Sequence, residues 1–262
     1  MTDVVIGQEQ RQEVAVPEWA AASRNYAVEV IGTFVLVFTV ATASYLGSVF
    51  TALAAGSALM VMIYAGGHIS GGHFNPAVTV GALVRGRIGI RDAVAYWIVQ
   101  FAAGVVAAAV ARAVVDPAVV KTLTPSGHTL AAVAVVELLF TFALVYVVLN
   151  VATSKDQTGN SFFGLAIGFT VVAGAFAVGG ISGGAFNPAV SLGMATGGLF
   201  AWSTIWVYLV VQLGAGMAAG LAFLALNPGD KEPRTYTAGP NHTWHNRHAA
   251  SKPVPAPRGS DA

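Results

Sequence analysis

The sequence has no cysteine and very little charge. Of its 262 residues, 10% are Asp, Glu, Lys or Arg, where soluble domains carry about 25%. The missing cysteines exclude disulfides, thiolate metal sites and a cysteine nucleophile. Basic and acidic residues nearly balance, for a formal net charge of +1, so there is no electrostatic footprint for nucleic acid. No nucleophile arrangement, metal cluster or phosphate loop is present, so the sequence gives no enzyme, no cofactor and no metal site. The N-terminal segment, up to the tyrosine at position 26, is polar, with charges at Asp3, Glu9, Arg11, Glu13, Glu18 and Arg24. It lacks the short basic start and apolar run of a signal peptide. What the chain has in abundance is apolar residues, 55% of the total. With a mean hydropathy of +0.68, it reads as an integral membrane protein.

A bilayer core of about 30 Å needs roughly 20 apolar helical residues. Six stretches approach that length: Tyr26–Gly47, Val49–Tyr64, Ala93–Val114, Leu130–Leu149, Phe162–Gly179 and Trp202–Leu226. With the N-terminus inside, Arg11, Arg24, Arg85, Arg87, Arg91, Lys155, Lys231, Arg234, Arg247, Lys252 and Arg258 are cytoplasmic, and Arg112 and Lys121 are outside. This positive-inside bias places both termini in the cytoplasm, and the expected location is the plasma (cell inner) membrane. The organisation is then a cytoplasmic segment over residues 1–25, a membrane domain over 26–226 with halves at about 26–114 and 130–226, and a tail over 227–262. The tail is rich in Pro, charge and His and reads as disordered. Its His242, His245 and His248 are taken as solvated rather than as a metal site.

The membrane domain contains a repeat. With Asn75 laid on Asn187, Gly67–Leu83 falls on Gly179–Ala195 with eleven of seventeen positions identical. The same offset lays Tyr96, Gln100 and Gly104 on Tyr208, Gln212 and Gly216. Lone acids, Glu29 and Glu137, sit in an apolar helix of each half, at an offset slightly shorter than that of the motifs. Three spans plus one motif per half reverse the second half in the membrane, giving an inverted repeat. Both motifs contain Asn-Pro-Ala, at Asn75, Pro76 and Ala77 and at Asn187, Pro188 and Ala189. Asn is a favoured N-cap and Pro fits the first helical turn. Each motif therefore starts a helix, and ten residues make about 15 Å of it, half the hydrocarbon thickness. Two such half-helices entering from opposite faces meet near the midplane. The glycines before them, from Gly66 to Gly72 and from Gly179 to Gly184, are expected to form irregular backbone, which at this depth must lie in protein or beside a water-filled cavity.

These features resemble the aquaporin, or major intrinsic protein, family. The resemblance covers Tyr26 to Leu226 and rests on the six-span repeat, the segments Ser70–Val78 and Ser182–Val190, and Glu29 with Glu137. It implies an all-α membrane fold of six transmembrane helices plus two half-helices, a homotetramer with one pore per subunit, and passive conduction of water or small neutral solutes. It implies that Glu29 and Glu137 brace the motif loops, and that His73 lies at the cytoplasmic pore mouth in a structural or pore-lining role. His68 shares that loop. Gln100 and Gln212 are expected to bond between helices.

The sequence departs from the family at the outer selectivity filter. Counting from the asparagines places its four positions at Ala55, Ala175, Gly184 and Val190. The water-selective pattern has an aromatic, a His and an Arg at the first, second and fourth of these. None is present, so a wide apolar opening is expected. Ser191 stands where glycerol channels carry Asp. The segment Ile205–Val211 and the small filter look more like the branch that passes metalloid acids and polar neutral solutes. The expected function is a channel for water and solutes such as glycerol, urea, arsenite or boric acid. Two features leave alternatives open. Phe176, beside Ala175, could close the filter, although outward packing is expected. Glu29 and Glu137 would suit an inverted-repeat secondary transporter if they faced the pore. A water-selective aquaporin is the alternative within the family, and an ion channel ranks last because no filter position is charged.

Overall fold

A computed structural model describes residues 18–230, with side chains from residue 22. The tail residues His242, His245 and His248, and the basic residues Arg11, Lys231, Arg234, Arg247, Lys252 and Arg258, lie outside the described residues. Among the described residues eight α-helices follow one another: α1 Glu18–Tyr45, α2 Thr51–Ser70, α3 Pro76–Arg85, α4 Ile90–Val115, α5 His128–Thr153, α6 Phe163–Ser182, α7 Pro188–Thr196 and α8 Ile205–Leu226. Six of them are long and apolar enough to cross a membrane. The other two, α3 and α7, are the half-helices. The face that holds the start of α1 and the end of α8 is called here the terminal face, and its opposite the far face.

The two halves repeat one packing plan. α1 lies on α4 and α2, as α5 lies on α8 and α6. Each half-helix crosses over to the other half, α3 onto α8 and α7 onto α4. Two glycines allow this close approach. A Cβ at Gly104 would lie 2.7 Å from the main-chain oxygen of Ala189, and one at the repeat-related Gly216 would collide with that of Ala77. α2 meets α6 through a further repeat pair, Gly56 and Gly168. A Cβ at Gly168 would lie 2.5 Å from the Gly56 oxygen. The pseudo-twofold axis passes through this crossing. Ile31, Ile98, Leu139, Phe169, Val210 and Leu221 stay exposed on the outer faces, as a bilayer-facing surface requires.

α2 and α6 run further than the sequence pattern indicates. They continue through Gly66–Gly67 and Gly179–Gly180 to Ser70 and Ser182, so those four glycines are helical and do not form irregular backbone. Gly66 has a packing reason, since a Cβ there would strike Val28. The helices end at Gly71 and Gly183, at φ 89 and 84, with their N–H groups on the oxygens of Gly67 and Gly179. The irregular segments are Gly71–Asn75 and Gly183–Asn187.

Both faces are closed by specific contacts. On the far face, the loop after α4 lies along the segment after α7. Leu123 N–H donates to Leu199 O at 2.8 Å, Ala201 N–H donates to Leu123 O at 3.0 Å, and Phe200 stacks on Tyr208. On the terminal face, Pro228–Asp230 forms a 3-10 turn, although composition assigns these residues to the tail. Asp230 is buried there, accepts from Lys155 N–H at 3.2 Å and sits 3.7 Å from the Arg85 guanidinium. Arg85 in turn lies over the ring of Phe223.

Candidate functional site: two opposed half-helices at a shared cavity

Asn75 and Asn187 cap the half-helices by the same geometry. Each has extended backbone, at φ −159 and −156, and is followed by Pro at the first helical position. The Asn75 Oδ1 accepts from Ala77 N–H at 2.8 Å, and the Asn187 Oδ1 accepts from Ala189 N–H at 2.9 Å. The side-chain nitrogens cross the pseudo-twofold. Asn75 Nδ2 donates to Phe186 O at 3.0 Å, and Asn187 Nδ2 donates to Phe74 O at 2.8 Å. An amide nitrogen has two N–H groups, so one remains on each for the cavity that both side chains line.

The two acids accept hydrogen bonds from the loops. Glu29, fully buried, accepts four hydrogen bonds: Ser70 Oγ–H at 2.7 Å and His73 N–H at 2.9 Å on Oε1, and Phe74 N–H at 2.7 Å and Gln100 Nε2–H at 2.9 Å on Oε2. Glu137 repeats the set, with Ser182 Oγ–H at 2.6 Å, Ala185 N–H at 3.1 Å, Phe186 N–H at 2.8 Å and Gln212 Nε2–H at 2.8 Å. These bonds satisfy N–H groups of loops that have no helical partner of their own. They also offset backbone strain, because Phe74 and Phe186 adopt φ 46 and 48, a region that bulky residues seldom visit. Tyr96 and Tyr208 donate to Ser70 O at 2.6 Å and Ser182 O at 2.8 Å, closing each loop from the other side.

Between the loops runs a cavity. Its polar lining is Asn75, Asn187, His73 and the loop residues Gly72, Gly184 and Ala185. Its apolar wall is Leu36, Val40, Ala55, Leu59, Ile63, Val78, Leu144, Val148, Ile167, Val171 and Val190. Glu29 and Glu137 are absent from the lining. Of the four counted positions, Ala55, Gly184 and Val190 line the cavity, while Ala175 lies beside Gly184, its Cα 3.1 Å from where a Cβ there would stand. Phe176 is 60% exposed and points away. His73 is buried at the cavity wall, with Nδ1 3.0 Å from Thr79 Oγ1 and its ring edge-on to Tyr96. His68 lies near the end of α2 on the exposed side.

Apart from Ala55 and Val190, the aliphatic wall is not among the sequence expectations, although the sequence carries a signal for it. Leu36 and Leu144, and Val40 and Val148, stand at the same offset as the two acids. Ala55 and Ile167, and Leu59 and Val171, stand at the offset of the two asparagines.

At the outer end of α7, two donors from different helices meet one acceptor. Tyr45 Oη–H donates to Gly197 O at 2.8 Å, and Arg112 Nη1–H donates to the same oxygen at 2.7 Å. A cation at a helix C-terminus is favourable to the helix dipole, and α7 has no basic residue of its own in its last turn.

Comparison with known proteins agrees with this architecture. The family model described as Major intrinsic protein matches residues 18–223. The chain is 40% identical over 207 residues to a glycerol uptake facilitator protein-like 6 of Lactiplantibacillus plantarum, covering 75% of this chain and 95% of that protein. It is 41% identical over 172 residues to aquaporin NIP1-4 of Oryza sativa subsp. japonica, covering 64% of this chain and 61% of that protein. The X-ray structure of the aquaglyceroporin from Plasmodium falciparum has the same fold, with a TM-score of 0.68 at 22% identity over 80% of this chain and 98% of that one. The chain belongs to the major intrinsic protein family and is a membrane channel for water and small solutes.

Proposed function

We propose that the channel passes water together with small uncharged solutes, such as glycerol, urea or the undissociated acids of arsenic and boron, and bars protons and ions. The observation that carries this reading is the far-face end of the cavity. Ala55, Gly184 and Val190 line it, with Ala175 against Gly184. No ring, imidazole or guanidinium stands at these positions to narrow the opening. The L. plantarum relative, named for glycerol uptake, is consistent with a solute larger than water.

Exclusion of protons follows from the two asparagines. A water between them accepts the remaining Nδ2–H of each on its oxygen. Its hydrogens then point outward along the file, and no neighbour can donate to it, so proton relay stops there. Each half-helix N-terminus carries about +0.5 charge. At roughly 5 Å and an effective dielectric near 20, the pair repels a cation by about 3 kcal/mol. Half-helix dipoles act as such barriers in aquaporin-type pores generally. With Val190 in place of a filter arginine, they do so here without the help of a fixed charge at the far-face end.

A coupled transporter is disfavoured by a specific observation. Glu29 and Glu137 each take four protein donors and do not line the cavity, so they offer no coupling-ion site there. We further propose a homotetramer in the plasma membrane with both termini cytoplasmic; the basic residues Arg85, Arg87, Arg91 and Lys155 on the terminal face support the orientation. In this orientation the far face is external and His73 lies toward the cytoplasmic mouth.

Reswelling of proteoliposomes after osmotic shock with glycerol, urea or boric acid tests the reading. Faster reswelling than in protein-free vesicles is expected for each, with no proton flux by an internal pH dye. Water flux with complete rejection of all three would overturn it.

A further inference from the structure

Because each half is the other's copy, the two ends of the cavity can be compared position by position. The offset that lays Asn75 on Asn187 takes Ile63 to Ala175, Ala55 to Ile167, Gly72 to Gly184, His73 to Ala185 and Val78 to Val190. The far-face end therefore has Ala, Ala, Gly, Ala and Val. The terminal-face end has Ile, Ile, Gly, His and Val at the mates of those positions.

The levels follow from the helix crossing. Gly56 and Gly168 meet on the pseudo-twofold axis. Ile63 stands two helical turns further along α2, about 10 Å toward the terminal face, and Ala175 stands two turns further along α6, about 10 Å toward the far face. Side chains lean toward the N-terminus of their own helix, so Ile167 leans to the terminal face and Ala55 to the far face. Ile63, Ile167, Val78 and His73 all line the cavity and are buried; of the far-face mates Ala55, Ala185 and Val190 are buried as well, while Gly184 and Ala175 are half-buried. His73 cannot swing aside freely, being held by Thr79 Oγ1 and packed on Tyr96.

We propose that solute size is selected in the terminal-face half of the cavity, by a ring of Ile63, Ile167, Val78 and His73 staggered along its length, and not at the far-face positions. This inference rests on the broad-channel reading above and adds the location of its size limit. Three of its four side chains are aliphatic and the fourth is an imidazole. It admits compact solutes that keep hydrogen bonds on one side while sliding hydrocarbon along the other, and it resists longer or branched ones.

The test is a series of linear polyols of three, four and five carbons, measured by reswelling in proteoliposomes and normalised to water permeability. Trimming the ring with Ile63→Ala and Ile167→Ala, singly and together, is expected to raise the flux of the four- and five-carbon polyols at least threefold relative to water. Phe176→Leu, on the outward face, is expected to leave the series unchanged. Should the alanine variants lose water flux through misfolding, Ile63→Val and Ile167→Val read the same trend at smaller amplitude. Ring variants that conduct water but leave the polyol series as in the wild type would overturn the proposal. If the wild type rejects glycerol, the broad-channel reading fails by itself. The ring is then upheld if its trimmed variants admit glycerol, and refuted if they do not.

Discussion

Asn75 donates its side-chain N–H across the pseudo-twofold axis to the main-chain oxygen of Phe186, and Asn187 does the same to Phe74. Each asparagine thus caps its own half-helix and ties down the loop that leads into the other. Asn75→Ala removes an N-cap, at about 0.5–2 kcal/mol, and leaves the Phe186 carbonyl without its donor. We expect lower thermal stability in detergent from either alanine variant, together with reduced water permeability. A variant as stable as the wild type would show that the cross-axis bonds contribute nothing.

Glu29 and Glu137 face four donors each. Glu29→Gln keeps the shape but turns one acceptor oxygen into an NH2 that confronts N–H groups. Each hydrogen bond so disrupted is worth about 0.5–1.5 kcal/mol. The expected outcome is a lower unfolding temperature for either Gln variant, and a larger loss for the pair. Unchanged stability with altered, gradient-dependent uptake would instead mean that the acids serve in transport.

The α2–α6 crossing has no room for side chains. Gly168→Val sets two methyl groups against the Gly56 carbonyl and Met60. Overpacking costs typically about 1–3 kcal/mol, occasionally more, and here backbone must move. Low yield of folded protein is expected, measured by size-exclusion profile after extraction. Gly214→Ala, where nothing lies within 4 Å, serves as the tolerated control.

Tyr45 and Arg112 share one acceptor, Gly197 O. Their effects should therefore not add. Hydrogen bonds inside membrane proteins average about 0.6 kcal/mol and reach about 1.7. Tyr45→Phe and Arg112→Gln should each cost within that range, and the double variant should differ from their sum by a measurable coupling energy in a thermal or denaturant double-mutant cycle. Strict additivity would mean that the two donors act independently and do not couple through the shared oxygen.

Much of the fold was legible because a membrane simplifies the physics. Backbone groups must be satisfied within each segment, so apolar runs of sufficient length announce spans, and Asn-Pro at the same offset announces paired helix starts. Glu29 stood out for a similar reason, since a lone acid in an apolar helix must find donors. The helical ends at Ser70 and Ser182 were not legible. Gly66 and Gly179 weaken a helix by local propensity, and the packing of Gly66 against Val28 is a tertiary fact. Asp230 was hidden likewise, because a charge after a Pro-Gly pair looks like tail until Arg85 and Lys155 appear beside it. The aliphatic wall was obscured because Leu36 and Val148 resemble any other apolar residue of a span. Only their pairing at the repeat offset marks them.

The central claim, a wide opening made by the absence of a filter arginine, is tested most directly by glycerol reswelling of proteoliposomes carrying the wild type and Val190→Arg side by side. The wild type is expected to pass both water and glycerol, and the arginine variant to keep water permeability and lose most of the glycerol flux. Equal glycerol flux in the two proteins, at equal water permeability, would contradict the claim.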